Sequence, residues 1–219
     1  MPYIPTFPRQ DQFAGETLTK WLSLVGAVLW IIVYFVIVRA GFLAHSYGIP
    51  ALAICLNITW EFIFSFVFPP ESKVARAIYV AWFLLDCIVL YQLFSYGGAE
   101  QTIPEIQRGF PLLVAGIIVL AFIFHYTFHK FLADPDGGAA AYIINLVMSV
   151  LFAFLLFARR DQHALSHCAA WLKMLGTGLM SLSDLIRMFV TKKPIPFLIF
   201  LYLSTFLFDV IYLFLIYAS

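Results

Sequence analysis

Long apolar stretches recur along the chain at regular intervals. Each is about 20 residues long, the length that lets an α-helix span about 30 Å of hydrocarbon. Pro, Gly and Asp residues typical of turns separate them. The pattern predicts an all-α, polytopic membrane protein with a bundle of seven transmembrane helices, forming one domain over residues 1–219. The predicted helices cover residues 22–41, 49–68, 75–95, 110–131, 139–158, 169–190 and 197–217.

Composition supports this class. Hydrophobic residues make up 63% of the chain and charged residues 11%, a balance that is not typical of soluble domains. The sixth window is the least apolar, since it contains Lys173, Asp184 and Arg187. Asp184 precedes Arg187 by three residues, so we predict a paired structural group near the membrane surface. Residues 1–20 lack a short basic start, and we expect a surface segment rather than a signal peptide.

Two carboxylates interrupt the apolar pattern. Glu61 and Asp209 lie near the middle of windows 2 and 7, and neither window contains a Lys or Arg. A charged side chain at the centre of a membrane helix costs about 2.5–3.5 kcal/mol on insertion scales, so such groups usually serve a cavity or a proton path. Burial favours the neutral acid, which can donate a proton and later recover one. We expect both acids to face one substrate, bound between helices 2, 3 and 7.

Aromatic and polar residues accompany these acids at helical spacing. Aromatic faces stabilise a cation without reacting with it, and an acid beside aromatic walls predicts carbocation chemistry on a lipid-like substrate. The alternative for an isolated polar residue is an ordinary hydrogen bond between helices. Phe68 and Tyr91 are further wall candidates. The predicted substrate-binding residues are Asn57, Trp60, Phe64, Trp82, Asp86, Tyr142, Asn145 and Tyr212.

The stretch NITWEFIFSFVFPPESKV, residues 57–74, resembles a known family. It is similar to the integral-membrane terpene cyclases of fungal meroterpenoid and indole-diterpene pathways and their bacterial relatives, which carry Asn-x-x-Trp-Glu, an aromatic run, a proline and a polar loop. The resemblance continues around Asp209. It implies an enzyme that protonates a terminal epoxide or alkene of a prenylated substrate and guides its cyclisation, with Glu61 and Asp209 as the catalytic pair.

The resemblance also implies partners and a location. We expect a prenylated small-molecule substrate, a lipid bilayer and no nucleic acid, with a pathway prenyltransferase and an epoxidase as associated enzymes. The oligomeric state stays open. The protein would be an integral, multi-pass protein of the endoplasmic reticulum if fungal, or of the plasma membrane if bacterial.

We predict no cofactor and no metal. The Asp-rich motifs that hold Mg²⁺ against a diphosphate, such as DDxxD, do not occur in the sequence. His125 and His129 are four residues apart, as are His163 and His167, but no acidic residue flanks either pair to complete a site.

Two other functions compete with the cyclase. A small proton-coupled transporter or channel could use the same buried carboxylates. Helices 2, 3 and 7 contain no internal Gly or Pro, whereas transporter folds commonly show broken helices and internal repeats. A scaffold subunit is the other alternative, and no feature beyond an aromatic exterior supports it.

Overall fold

A computed structural model of the protein describes residues 17–132, 134–159 and 164–219. Within these residues the chain is helical and contains no β-strand, which confirms the all-α prediction. Residues 1–16 and His163 lie outside the described ranges, and so do the predictions made for them. The helices are α1 (Thr17–Ala44), α2 (Ala51–Phe62), α3 (Lys73–Tyr96), α4 (Pro104–Leu132), α5 (Gly138–Arg159), α6 (His167–Thr191) and α7 (Pro196–Ala218).

Each helix overlaps one of the predicted windows, and a π-helical turn, Ile63–Val67, extends α2. The largest difference is at α4, which was expected to begin at residue 110. It begins at Pro104 and continues through Pro111. Proline is favoured at the first helical position because its missing N–H has no partner there in any case.

Five of the described helices are long and apolar enough to cross a membrane, namely α1, α3, α4, α5 and α7. The other two differ for separate reasons. The apolar segment formed by α2 and its π turn, Ala51–Val67, is shorter than the five helices that are long enough to cross a membrane. Helix α6 carries Lys173, Asp184 and Arg187.

Helix α1 packs most extensively against α6. A Cβ atom added to Gly26 would lie 2.7 Å from the carbonyl oxygen of Gly176, so only glycine allows this approach of the two backbones. Ser23 Oγ donates a hydrogen bond of 2.9 Å to Ser183 Oγ across the same interface. Small and hydroxyl residues of this kind are typical of helix pairs in membranes.

The turn between α4 and α5 is fixed by its own side chains. The Asp134 carboxylate accepts hydrogen bonds from the backbone N–H groups of Ala139 (3.1 Å) and Ala140 (2.9 Å), capping the start of α5. Gly137 has a φ of +71°, and a Cβ atom there would lie 2.4 Å from the Phe64 ring. The turn is therefore held against α2, beside the cavity described next.

Candidate active site

A cavity lies between α1, α2, α3, α5 and α6, and about 680 Å³ of space there is free of protein atoms when the open region at its mouth is included. Among the described residues, none of α7 lines it, so the expectation of a site between helices 2, 3 and 7 is wrong in that respect. The cavity is bounded by Trp30, Tyr34, Asn57, Trp60, Glu61, Tyr79, Trp82, Gly138, Ala141, Tyr142, Asn145, Thr177 and Met180.

Glu61 is the carboxylate on this cavity, and its side chain is 1% exposed. Its Oε1 accepts hydrogen bonds from Tyr34 Oη (3.2 Å) and from Asn57 Nδ2 (3.0 Å). Asn57 Nδ2 also donates to Asp86 Oδ2 at 2.8 Å. One amide thus joins two buried carboxyl groups from α2 and α3, while α1 supplies the tyrosine.

The Glu61–Asp86 pair has no cationic partner among the described residues. Each of the two carboxyl groups also has one buried oxygen that accepts no hydrogen bond from the described residues. These oxygens are Glu61 Oε2 and Asp86 Oδ1. Two neighbouring buried carboxylates repel each other, and burial disfavours charge on both. The pair therefore favours a state that retains at least one proton, which is what a proton donor requires.

The π turn ends helix α2 just after Glu61. In an α-helix the Ser65 carbonyl would accept a hydrogen bond from residue 69, but Pro69 has no N–H. Arg76 Nε of α3 donates to this carbonyl at 3.1 Å, while Phe68 N donates to Ile63 O at 2.8 Å. Single π turns occur frequently at functional sites. The two prolines after Phe68 are the signal that could have predicted an irregular end to this helix.

Aromatic rings form much of the cavity wall. The Trp60 and Tyr79 ring centroids are 4.8 Å apart at an interplanar angle of 65°, and those of Tyr79 and Trp82 are 5.8 Å apart at 25°. Trp60 Nε1 donates to Gly137 O at 2.8 Å, which fixes the indole against the α4–α5 turn. The rings of Trp60, Tyr79 and Trp82 thus lie together in the wall of the cavity that Glu61 borders.

The sequence prediction missed three of the aromatic lining residues. Trp30 and Tyr34 are four residues apart on α1, and Tyr79 lies three residues before Trp82 on α3. Residues three or four apart share one face of a helix, so the same test that was applied to helix 2 could have found them.

The predicted substrate-binding residues divide into two groups. Those on the cavity are Asn57, Trp60, Trp82, Tyr142 and Asn145. The others lie elsewhere: Asp86 is buried against Asn57, Phe64 packs beside Trp60, and Tyr212 packs on Phe152.

Two further aromatic residues were wrongly expected on this wall. Tyr91 is 59% exposed on the outer face of α3, where it packs against Phe42. Phe68 stacks on His129 with ring centroids 4.2 Å apart.

Asp209 lies in a different environment from Glu61. It forms a buried ion pair with Lys173 of α6, whose Nζ also donates to Ser149 Oγ at 2.6 Å. The expectation that no cation neutralises Asp209 is therefore wrong, because the partner comes from another helix. Trp30 lines both the main cavity and a smaller one bounded by Lys173 and Tyr212. Asp209 lines neither of these two cavities, whereas Glu61 lines the main one.

The histidine pair of α4 is used for structural contacts. His125 Nε2 lies 3.0 Å from Leu56 O, and His129 Nδ1 lies 2.9 Å from Asp134 O. In the described ranges, no group of three or more His, Cys, Asp or Glu residues could hold a metal ion.

Comparison with known proteins places this arrangement in a family. The sequence profile of the Pyr4-like transmembrane terpene cyclases matches residues 5–219. Terpene cyclase andB of Emericella variicolor is 30% identical over 111 residues, which cover 50% of this chain and 47% of andB. Asnovolin H synthase nvfL of Aspergillus novofumigatus is 28% identical over 178 residues, covering 78% of this chain and 72% of nvfL.

A further relative, terpene cyclase pyr4 of Aspergillus fumigatus, is 27% identical over 105 residues, or 48% of this chain and 43% of pyr4. The matched region is thus about half the length of andB and of pyr4. The family profile covers nearly the whole chain, in agreement with the apolar helices and the buried acid. This protein belongs to the family of Pyr4-like transmembrane terpene cyclases.

Proposed function

We propose that the protein cyclises a prenylated small molecule, with the prenyl chain attached to an aromatic or otherwise polar head group. The observation that carries this proposal is the position of the Glu61–Asp86 pair beside an aromatic cavity. In this proposal all seven helices cross the bilayer as one domain, and the apolar substrate reaches the cavity from the lipid.

The reaction would begin with proton transfer from the Glu61 carboxyl group. The proton goes to the oxygen of a terminal epoxide, whose C–O bond breaks, or to a carbon of a terminal alkene. Tyr34 and Asn57 hold Glu61 Oε1 at 3.2 and 3.0 Å, and Asp86 disfavours loss of the proton before substrate binds. Because protonation itself generates the cation, we propose an initiation that uses neither a metal ion nor a cofactor.

The aromatic wall would then support the migrating cation. Trp60, Tyr79 and Trp82 line the cavity with their rings, and a desolvated cation–π contact contributes about 2 kcal/mol or more. The walls also keep water from the cation, which would otherwise be trapped as an alcohol before the rings close. A prenyltransferase would supply the substrate, followed by an epoxidase if the trigger is an epoxide.

Turnover of a defined substrate tests this proposal. Purified protein in nanodiscs would be incubated with farnesylated and geranylgeranylated phenols and indoles, each supplied as the terminal alkene and as the terminal epoxide. We expect at least one probe to yield a cyclic isomer of unchanged mass. In D₂O, an alkene-initiated product would gain one deuterium on carbon. If every probe is recovered unchanged, the cyclase assignment and its proton-donating Glu61 are wrong, and a proton-coupled transporter becomes the better explanation.

A further inference from the structure

A cyclisation that begins with a proton must also end by losing one. Each ring closure moves the cation to a new carbon along the prenyl chain, so the final C–H bond lies away from the carbon or oxygen that received the proton. A base on another part of the cavity wall is therefore favoured over the conjugate base of Glu61. This inference rests on the proposed function.

Tyr142 of α5 is the lining residue with the chemistry for this step. Its Oη donates a hydrogen bond of 3.2 Å to Asp184 Oδ2 of α6. Among the described residues, the other hydrogen bonds from lining side chains to carboxylates belong to the Glu61–Asp86 group, through Tyr34 and Asn57. Tyr142 thus connects the cavity to a second acid on the opposite set of helices.

Asp184 is suited to receive the proton of Tyr142. Its Oδ1 forms an ion pair with Arg187 Nη1 at 3.3 Å, as the sequence predicted, and its other oxygen, Oδ2, accepts the hydrogen bond from Tyr142. The Asp184 side chain is 19% exposed, so it is not sealed inside the helix bundle. A base oriented and supported by a third group is a recurrent arrangement in enzymes.

We propose that Tyr142 is the base that terminates the cyclisation and that Asp184 is its proton acceptor. The C–H bond next to the final cation breaks, and its electron pair forms the C=C bond of the product. The proton bonds to Tyr142 Oη, while the hydroxyl proton moves to Asp184 Oδ2. One proton enters at Glu61 and one leaves at Asp184, so substrate and product are isomers.

Tyr202 provides a matched control for this assignment. Its Oη also contacts Asp184 Oδ2, at 3.5 Å, and its ring packs against that of Tyr142 with centroids 4.3 Å apart. Tyr202 does not line the cavity. Tyr142→Phe and Tyr202→Phe therefore remove similar hydroxyl groups from one cluster, but only Tyr142 is a lining residue of the cavity.

The experiment measures substrate consumption and product identity separately, using the probe that wild-type protein cyclises. We expect Tyr142→Phe to keep consumption within about tenfold of wild type, while the ratio of the normal alkene to other products falls about tenfold or more. The other products would be double-bond isomers and alcohols formed by addition of water. Asp184→Asn should shift products in the same direction, Asp184→Glu should restore part of the normal ratio, and Tyr202→Phe should match wild type.

Three results would overturn the assignment. An unchanged product ratio in Tyr142→Phe would show that another group removes the proton. Equal shifts in Tyr142→Phe and Tyr202→Phe would indicate altered packing, and a shift confined to Asp184→Asn would exclude a relay through Tyr142. If wild-type protein consumes no probe, the proposed function is wrong and so is this inference. That result differs from the other three, in which wild-type protein cyclises the probe and only the assignment of Tyr142 is contradicted.

Discussion

Lys173 and Asp209 form an ion pair buried between α6 and α7, where each side chain is 3% exposed. Asp209 is thus engaged with a cation of the neighbouring helix, and it lines neither the main cavity nor the smaller one. Lys173 Nζ also lies 5.9 Å from the centroid of the Trp30 ring, and Trp30 lines the main cavity. We therefore infer that Asp209 supports the cavity wall through Lys173 and does not protonate the substrate.

The first prediction tests whether Asp209 of this ion pair stabilises the structure or takes part in the reaction. Asp209→Asn or Lys173→Met alone leaves a buried group without its partner, which typically costs about 3–5 kcal/mol. Each single variant should lose thermal stability in detergent together with activity. The double variant Lys173→Met, Asp209→Leu should regain stability, because an apolar pair of similar volume is often neutral or stabilising.

Turnover of the double variant decides the role of Asp209. We expect it to recover more than about a tenth of wild-type activity, since general acid catalysis is worth about 10²–10⁴ in rate. A double variant as stable as wild type but with no detectable turnover would assign Asp209 to the chemistry, as the family resemblance implied.

The second prediction concerns the proton donor. Glu61→Gln keeps the size and the hydrogen-bonding capacity of the side chain but has no acidic proton, so turnover should fall by about 10²–10⁴ with expression unchanged. Glu105→Gln is the control, because the Glu105 side chain is 75% exposed at the start of α4. A Glu61→Gln protein that keeps more than about a tenth of wild-type turnover would contradict the assigned role.

The third prediction tests the aromatic wall with two residues of α3. Trp82 lines the cavity and its Nε1 has no hydrogen-bond partner within the described residues, so Trp82→Leu removes the ring and its stacking on Tyr79 without breaking a hydrogen bond. Loss of about 1–2 kcal/mol of cation stabilisation should release partly cyclised or water-trapped products, identified by mass spectrometry and NMR. Tyr91→Leu, on the exposed face of the same helix, should leave the product set unchanged.

Identical product sets for Trp82→Leu and wild type would mean that this ring does not face the cation. Tyr212→Leu provides a second comparison. Tyr212 lines the smaller cavity, so we now expect it to affect stability and rate without new products.

The fourth prediction concerns the α4–α5 turn. Gly137→Ala places a Cβ atom 2.4 Å from the Phe64 ring at a backbone φ of +71°, and the left-handed conformation alone costs a non-glycine residue about 1–2 kcal/mol. The melting temperature in detergent should fall, and turnover with it, because Trp60 is anchored to the Gly137 carbonyl. Gly116→Ala on α4 is the control, because a Cβ atom there meets no atom within 4 Å, and its melting temperature should equal that of wild type. An equal fall in melting temperature in both variants would exclude the turn as the cause.

The sequence alone determined the helices of this protein. Apolar windows mark the positions of all seven described helices, and five of these helices are long and apolar enough to cross a membrane. Burial in lipid requires a continuous apolar surface and internal backbone hydrogen bonds, which is why such windows are visible in the sequence. The same reasoning selected Glu61 and Asp209 as candidates, since a carboxylate in such a window is costly unless it is used, and only Glu61 lines the main cavity. Asn57 and Trp60 followed from helical spacing, which places residues three and four apart on one face.

Tertiary structure decided which residues of different helices lie next to each other. Sequence spacing describes one helix at a time, so it could not show that Lys173 of α6 reaches Asp209 of α7, or that Asn57 joins Glu61 to Asp86. It could not show which aromatic residues face the cavity, because lipid and cavity are both apolar and favour the same side chains. Packing of α1 against α6 brings Trp30 to the cavity, while Tyr91 stays on the outer surface.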